Sequence, residues 1–112
     1  MIRFKETIDS ISCFIFRHYI AFDDSVDVLR ISGVVFLDGL GDASRAIEYF
    51  RTATEINPNY VLAHFNMARS HEAMGEKIAA AKQYQKALNI NRQTNELDFK
   101  LIEDRLYKLF ET

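Results

Sequence analysis

Apolar and polar residues alternate along this chain with the three-to-four-residue spacing of helix faces. Ala46, Phe50 and Ala53 stand at i, i+4 and i+7, and so do Ala80, Tyr84 and Ala87. Residues 95–111 place Leu97, Leu101, Leu106, Leu109 and Phe110 on one broad stripe. Near the start, Ile8, Ile11, Phe14, Ile15, Phe16, Tyr19, Ile20 and Phe22 supply more apolar surface than one face of one helix normally carries. Breakers are few: one proline, Pro58, and four glycines. The pattern predicts an all-α chain of about six helices, over 4–22, 26–39, 43–56, 60–74, 77–90 and 95–111. Asp24 or Ser25 is the expected N-cap of the second helix.

The pattern also repeats. Gly41 and Gly75 are 34 residues apart, and the same interval separates Ala46 from Ala80, Phe50 from Tyr84, Ala53 from Ala87 and Ile56 from Ile90. Alanines flanking an aromatic on one helix face let a second helix approach closely while the ring fills the remaining space. The glycine falls where one helix ends, as a left-handed cap requires. Asp42 or Glu76 follows it, favourable near the next helix N-terminus. Asn57-Pro58-Asn59 then stops the first unit.

This resembles the tetratricopeptide repeat, a 34-residue helix-turn-helix unit. The family's Ala-x3-aromatic-x2-Ala signature appears twice, and its terminal proline once, as Pro58; Arg92 replaces it in the second unit. The run Ala63 to Ala68 looks like the family's opening helix, with Met67 and Ala68 at its large-then-small pair. In the first unit Arg30 falls where a large apolar residue is usual, and Gly33-Val34 reverses that pair, so the register of this helix stays open. The resemblance implies one domain, an α-solenoid of antiparallel hairpins over residues 1–112. An N-terminal capping helix (4–22) would precede repeat 1 (27–60) and repeat 2 (61–94), with a C-terminal capping helix (95–111) shielding the last hairpin.

Composition narrows the function. The chain has 112 residues, 48% hydrophobic and 27% charged, with net charge -2. These are ordinary globular values, and no basic field is present to displace counterions from nucleic acid. The longest apolar stretch, residues 11–22, is too short to span a membrane and contains Arg17 and His18. It also fails as a signal peptide, since Glu6 and Asp9 precede it and no small-residue cleavage site follows. Cys13 stands alone, so no intrachain disulfide forms, and a small core residue is its plainest reading. The expected location is cytoplasmic.

Catalytic patterns are missing. There is no nucleophile elbow and no phosphate-cradling glycine loop, so no enzymatic activity and no cofactor are expected. His64 and His71 are seven apart on one helix, but a metal would need further ligands. A packing histidine and a surface one account for the pair.

What remains is surface. In tetratricopeptide proteins the first helix of each hairpin lines a concave groove. Carried over by position, this face comprises Val28, Ile31, Ser32 and Val35, then Leu62, Phe65, Asn66, Arg69 and Glu72. The last helix continues it with Glu96, Phe99, Lys100 and Glu103. Such a groove suits an extended peptide or an amphipathic helix of a protein partner. One subfamily clamps C-terminal carboxylates with lysine and asparagine. Asn66 matches that clamp, but Ile31 and Val35 stand where its other members belong. The reading is a non-catalytic adaptor or scaffold. The alternative is a structural protein forming a weak homodimer through its apolar N-terminal helix.

Overall fold

The computed structural model describes residues 23–111, with side chains from Val26 onward. The helix expected over 4–22, with Cys13 and the apolar group it carries, lies outside the described residues. Five α-helices follow: α1 (Asp23–Val34), α2 (Ala43–Ile56), α3 (Val61–Ala73), α4 (Lys77–Thr94) and α5 (Phe99–Lys108). A π-helical turn, Val35–Gly39, extends α1. No strand occurs among the described residues. Each helix packs on the next in sequence, α1 on α2 through to α4 on α5, so the layers are stacked antiparallel hairpins.

Local chemistry explains the breaks. Asp42 caps α2 by accepting the Arg45 N–H at 3.2 Å. The α3–α4 turn is a Schellman motif. Glu76 N–H reaches His71 C=O at 2.9 Å and Gly75 N–H reaches Glu72 C=O at 3.0 Å, with Gly75 left-handed at φ 78°. Helix α4 runs four residues past its expected end, because Arg92, unlike proline, donates its N–H and continues the helix. It stops at Asn95, left-handed at φ 53°. Residues 95–98 are accordingly a loop, not the first turn of the last helix. Asn91, buried, pins that loop: its amide donates to Leu97 C=O at 2.8 Å and accepts Leu97 N–H at 2.9 Å. Asp98 then caps α5 through Lys100 N–H at 3.0 Å. At the other end, the cap expected at Asp24 or Ser25 is corrected, since both residues lie inside α1.

The π turn resolves the open register. In the α3–α4 turn the closing bond spans five residues, His71 to Glu76; in the α1–α2 turn it spans six, Phe36 to Asp42, at 2.8 Å. The first hairpin therefore holds one extra residue, absorbed as the i→i+5 bond from Leu40 N–H to Val35 C=O. Upstream of the turn the repeat interval becomes 35. Val26, Leu29 and Gly33 are buried where Val61, His64 and Ala68 are buried. Leu29, not Arg30, is thus the large apolar residue of the first helix, and Gly33 takes the small position.

That glycine is required. A Cβ built on Gly33 would lie 2.7 Å from Phe50 Cζ, inside contact distance. Phe50, Ala46 and Ala53 are wholly buried, as are Tyr84, Ala80 and Ala87 in the second hairpin. Two clusters hold the first hairpin against α3, through Ala63 and Met67, and a third joins α3, α4 and α5 around Tyr84 and Ile102. Chemical denaturation of Gly33→Ala should show a loss of about 1–3 kcal/mol from overpacking. Phe50→Ala should lose roughly 3–5 kcal/mol through a cavity. Neutral behaviour of Gly33→Ala would mean that α1 and α2 do not cross there.

Candidate protein-binding surface

Three polar connections line the side of the stack formed by α1 and α3. Arg69, half-buried on α3, donates to Asn66 Oδ1 at 3.1 Å and to Asp38 Oδ1, on the π turn, at 2.7 Å. It therefore bridges the first helices of both hairpins. One turn further, Glu72 accepts the Tyr84 hydroxyl at 2.8 Å. Burial first, and then the Glu72 carboxylate beside it, push the Tyr84 phenol well above its ordinary range. At the other end Tyr60 donates to Asp27 Oδ1 at 2.6 Å and accepts from Arg30 Nε at 2.8 Å. Desolvation and the Asp27 bond push its phenol up to about 12, against the opposing pull of Arg30.

The sequence-derived positions divide into groups. Leu62, Asn66, Arg69 and Glu72 share one face of α3, though Asn66 is buried and Leu62 partly covered by the cluster around Leu29. Phe65 is 8% exposed and meets the Tyr84 ring edge-to-face at 5.6 Å, so its phenyl belongs to the core. Val28, Ile31 and Val35 are exposed at 42%, 52% and 52%, with Ser32 partly covered between them. With the interval of 35, these three match Ala63, Asn66 and Ser70, on the side of α3 that turns toward the first hairpin. The matches of Leu62, Phe65 and Arg69 are Asp27, Arg30 and Val34. On the last helix Phe99 packs on the core with the Arg92 guanidinium 5.8 Å over its ring, while Lys100 and Glu103 are exposed. Glu96 is exposed in the loop before it.

Sequence reasoning missed Asp27, Asp38 and Tyr60. Counting by 34 sets Asp38 beside Glu72, on the candidate face, but gives no sign that it pairs with Arg69. Both histidines have partners. His64 is buried between Gln83 Oε1 at 3.0 Å and Pro58 C=O at 2.9 Å, and the carbonyl requires a proton on Nε2. His71 Nδ1 lies 2.9 Å from Glu76 Oε1. Among the described residues no group of three metal-ligating side chains occurs, and no helix is long and apolar enough to cross a membrane.

A family model described as tetratricopeptide repeat matches residues 39–98, more than half the chain. The chain belongs to the tetratricopeptide repeat family. No curated protein and no solved structure gives a significant match. Repeats of this family are protein–protein interaction modules and are generally non-catalytic.

The Tyr60 network has a pH signature in this repeat protein. A phenol with a raised native pKa contributes fully below its ordinary value of 10 and loses that contribution as pH rises towards about 12. Over that window the unfolded chain releases a proton that the native chain keeps. A phenolate titration should therefore show the buried Tyr60 ionising above the ordinary tyrosine range, and Tyr60→Phe should flatten the alkaline fall in stability. Ionisation of Tyr60 near 10 in the native protein would contradict the bonding described.

Proposed function

We propose that this tetratricopeptide protein is a non-catalytic adaptor that holds a peptide or helix segment of a partner protein on the face shared by α1 and α3. Arg69 carries the reading. It sits half-buried between both hairpins, fixed by Asn66 and Asp38, and spends two of its five guanidinium donors on them. The remaining donors can meet a partner's carboxylate or backbone carbonyls without further ordering of the side chain, which lowers the entropic cost of binding. Leu62 and Asn66 beside it, with Asp27 and Arg30 across on α1, give a mixed polar and apolar floor. Val28, Ile31 and Val35 add an apolar margin. Phe65 supports this face from below and does not itself offer an open ring. The domain is read as one unit, with α5 covering the last hairpin.

Arg69→Ala tests the proposal. Its ion pair is partly solvated, so stability should change by less than about 1 kcal/mol. Affinity for a captured partner should fall by about 2 kcal/mol or more, the signature of a hot spot. Titration calorimetry on wild type and variant measures both binding terms. Unchanged affinity would move the binding site off this face. Phe65→Ala is a poor probe, since loss of a core phenyl costs roughly 3–5 kcal/mol of folding energy.

A further inference from the structure

Helix α4 presents a second surface, on the outer side of the second hairpin. Its eighteen residues include Lys77, Lys82, Lys86 and Arg92 and no carboxylate. In a chain of net charge -2 that is a local reversal of sign. Lys82, Lys86, Asn89 and Gln93 recur at i, i+4, i+7 and i+11, all exposed, and point away from the buried Ala80, Tyr84, Ala87 and Leu88. Neither Lys82 nor Lys86 forms an ion pair among the described residues.

Beside Lys86 the surface dips into a cleft of about 380 Å³ between α2 and α4, lined by Thr54, Pro58, His64, Lys86, Asn89 and Ile90. Its walls are the Pro58 ring, the Ile90 side chain and the His64 imidazole, whose nitrogens are both already engaged. The Asn89 oxygen accepts from Gln85 Nε2 at 3.3 Å, leaving the amide hydrogens to donate. An aliphatic side chain therefore fits the cleft, and carboxylates fit its basic edge.

Spacing selects the form of the partner. Lys82 and Lys86 are about 6 Å apart along the helix axis, and Ile90 is about 6 Å further. Alternate side chains of an extended peptide project on one side every 6.6 to 6.8 Å, roughly the same interval. We propose that the outer face of α4 binds an extended acidic peptide of a partner protein, with carboxylates on two alternate residues at Lys82 and Lys86 and an aliphatic side chain two residues on, in the cleft. This surface is separate from the α1–α3 face and stands whatever that face holds. A nucleic acid would meet the same lysines but has no aliphatic group for the cleft.

A fluorescein-labelled peptide with Glu-Ser-Glu-Ser-Leu at its centre, titrated with the full chain at low salt, tests the proposal by anisotropy. Saturable binding is expected, falling by about tenfold or more in Lys82→Glu/Lys86→Glu. Added salt should weaken it, and replacing the peptide's leucine by serine should weaken it several-fold. Both lysines are exposed, and circular dichroism verifies that the double variant is folded. Arg69→Ala should leave this affinity unchanged, which keeps the result distinct from any failure of the α1–α3 face. Absence of saturable binding, or equal affinity in the double variant, overturns the proposal. So does an oligonucleotide of the same charge binding as tightly as the peptide, which would mark a general polyanion surface.

Discussion

The stack depends on a ring set against a residue without a side chain. Phe50 lies over Gly33, and in the second hairpin Tyr84 shares a cluster with Ala68 at the matching place. Helices cross closely only where one contributes almost nothing beyond its backbone and the other fills the gap with a flat, rigid group. Alanines on both sides of each ring, at 46 and 53 and again at 80 and 87, extend the close contact along the helix. With the crossing fixed, α3 is held at a set distance from the first hairpin. The polar bridges between the hairpins then have the geometry they need.

Those bridges differ from the core in kind. Arg69 to Asp38, and Tyr60 to Asp27 and Arg30, join residues 30 or more apart in the chain across partly solvated boundaries. Their energies are modest beside the burial of a phenyl ring. Their directionality supplies what apolar packing lacks, a single angular relation between successive hairpins. A stack with the core alone would retain its layers but hold its successive hairpins at a less definite angle.

The second hairpin was legible because its interval is uniform from Ala46 onward, and periodic spacing survives substitution of individual residues. Pro58 and Gly75 marked their breaks for reasons of backbone geometry alone. Arg92 misled in a small way: the repeat set the end of α4 at residue 90, but with no proline there the helix runs on to Asn95, left-handed at φ 53°. The first helix was opaque because an insertion shifts every residue before it by about 100° around the axis. Leu29 and Arg30 then exchange roles, and with them the whole assignment of faces. Of the candidate surface, Arg69 and Asn66 could be placed together on α3 from their spacing, whereas the match of Asp27 with Leu62 emerges only once that insertion is counted. The unpaired lysines of α4 were visible as composition, but their significance needed the cleft beside them.

An extra residue inside a helix is in principle free to travel, since a bulge can pass along a helix by exchanging one set of bonds for the next. Once it had passed Gly33, Val34 would face Phe50 in the glycine's place, and its side chain would collide with the ring. The glycine thus acts as a detent that keeps the bulge on its C-terminal side, where it spans Val35 to Gly39. A repeat protein built this way can lengthen by a residue and still keep every later hairpin in phase, provided that one position stays bare.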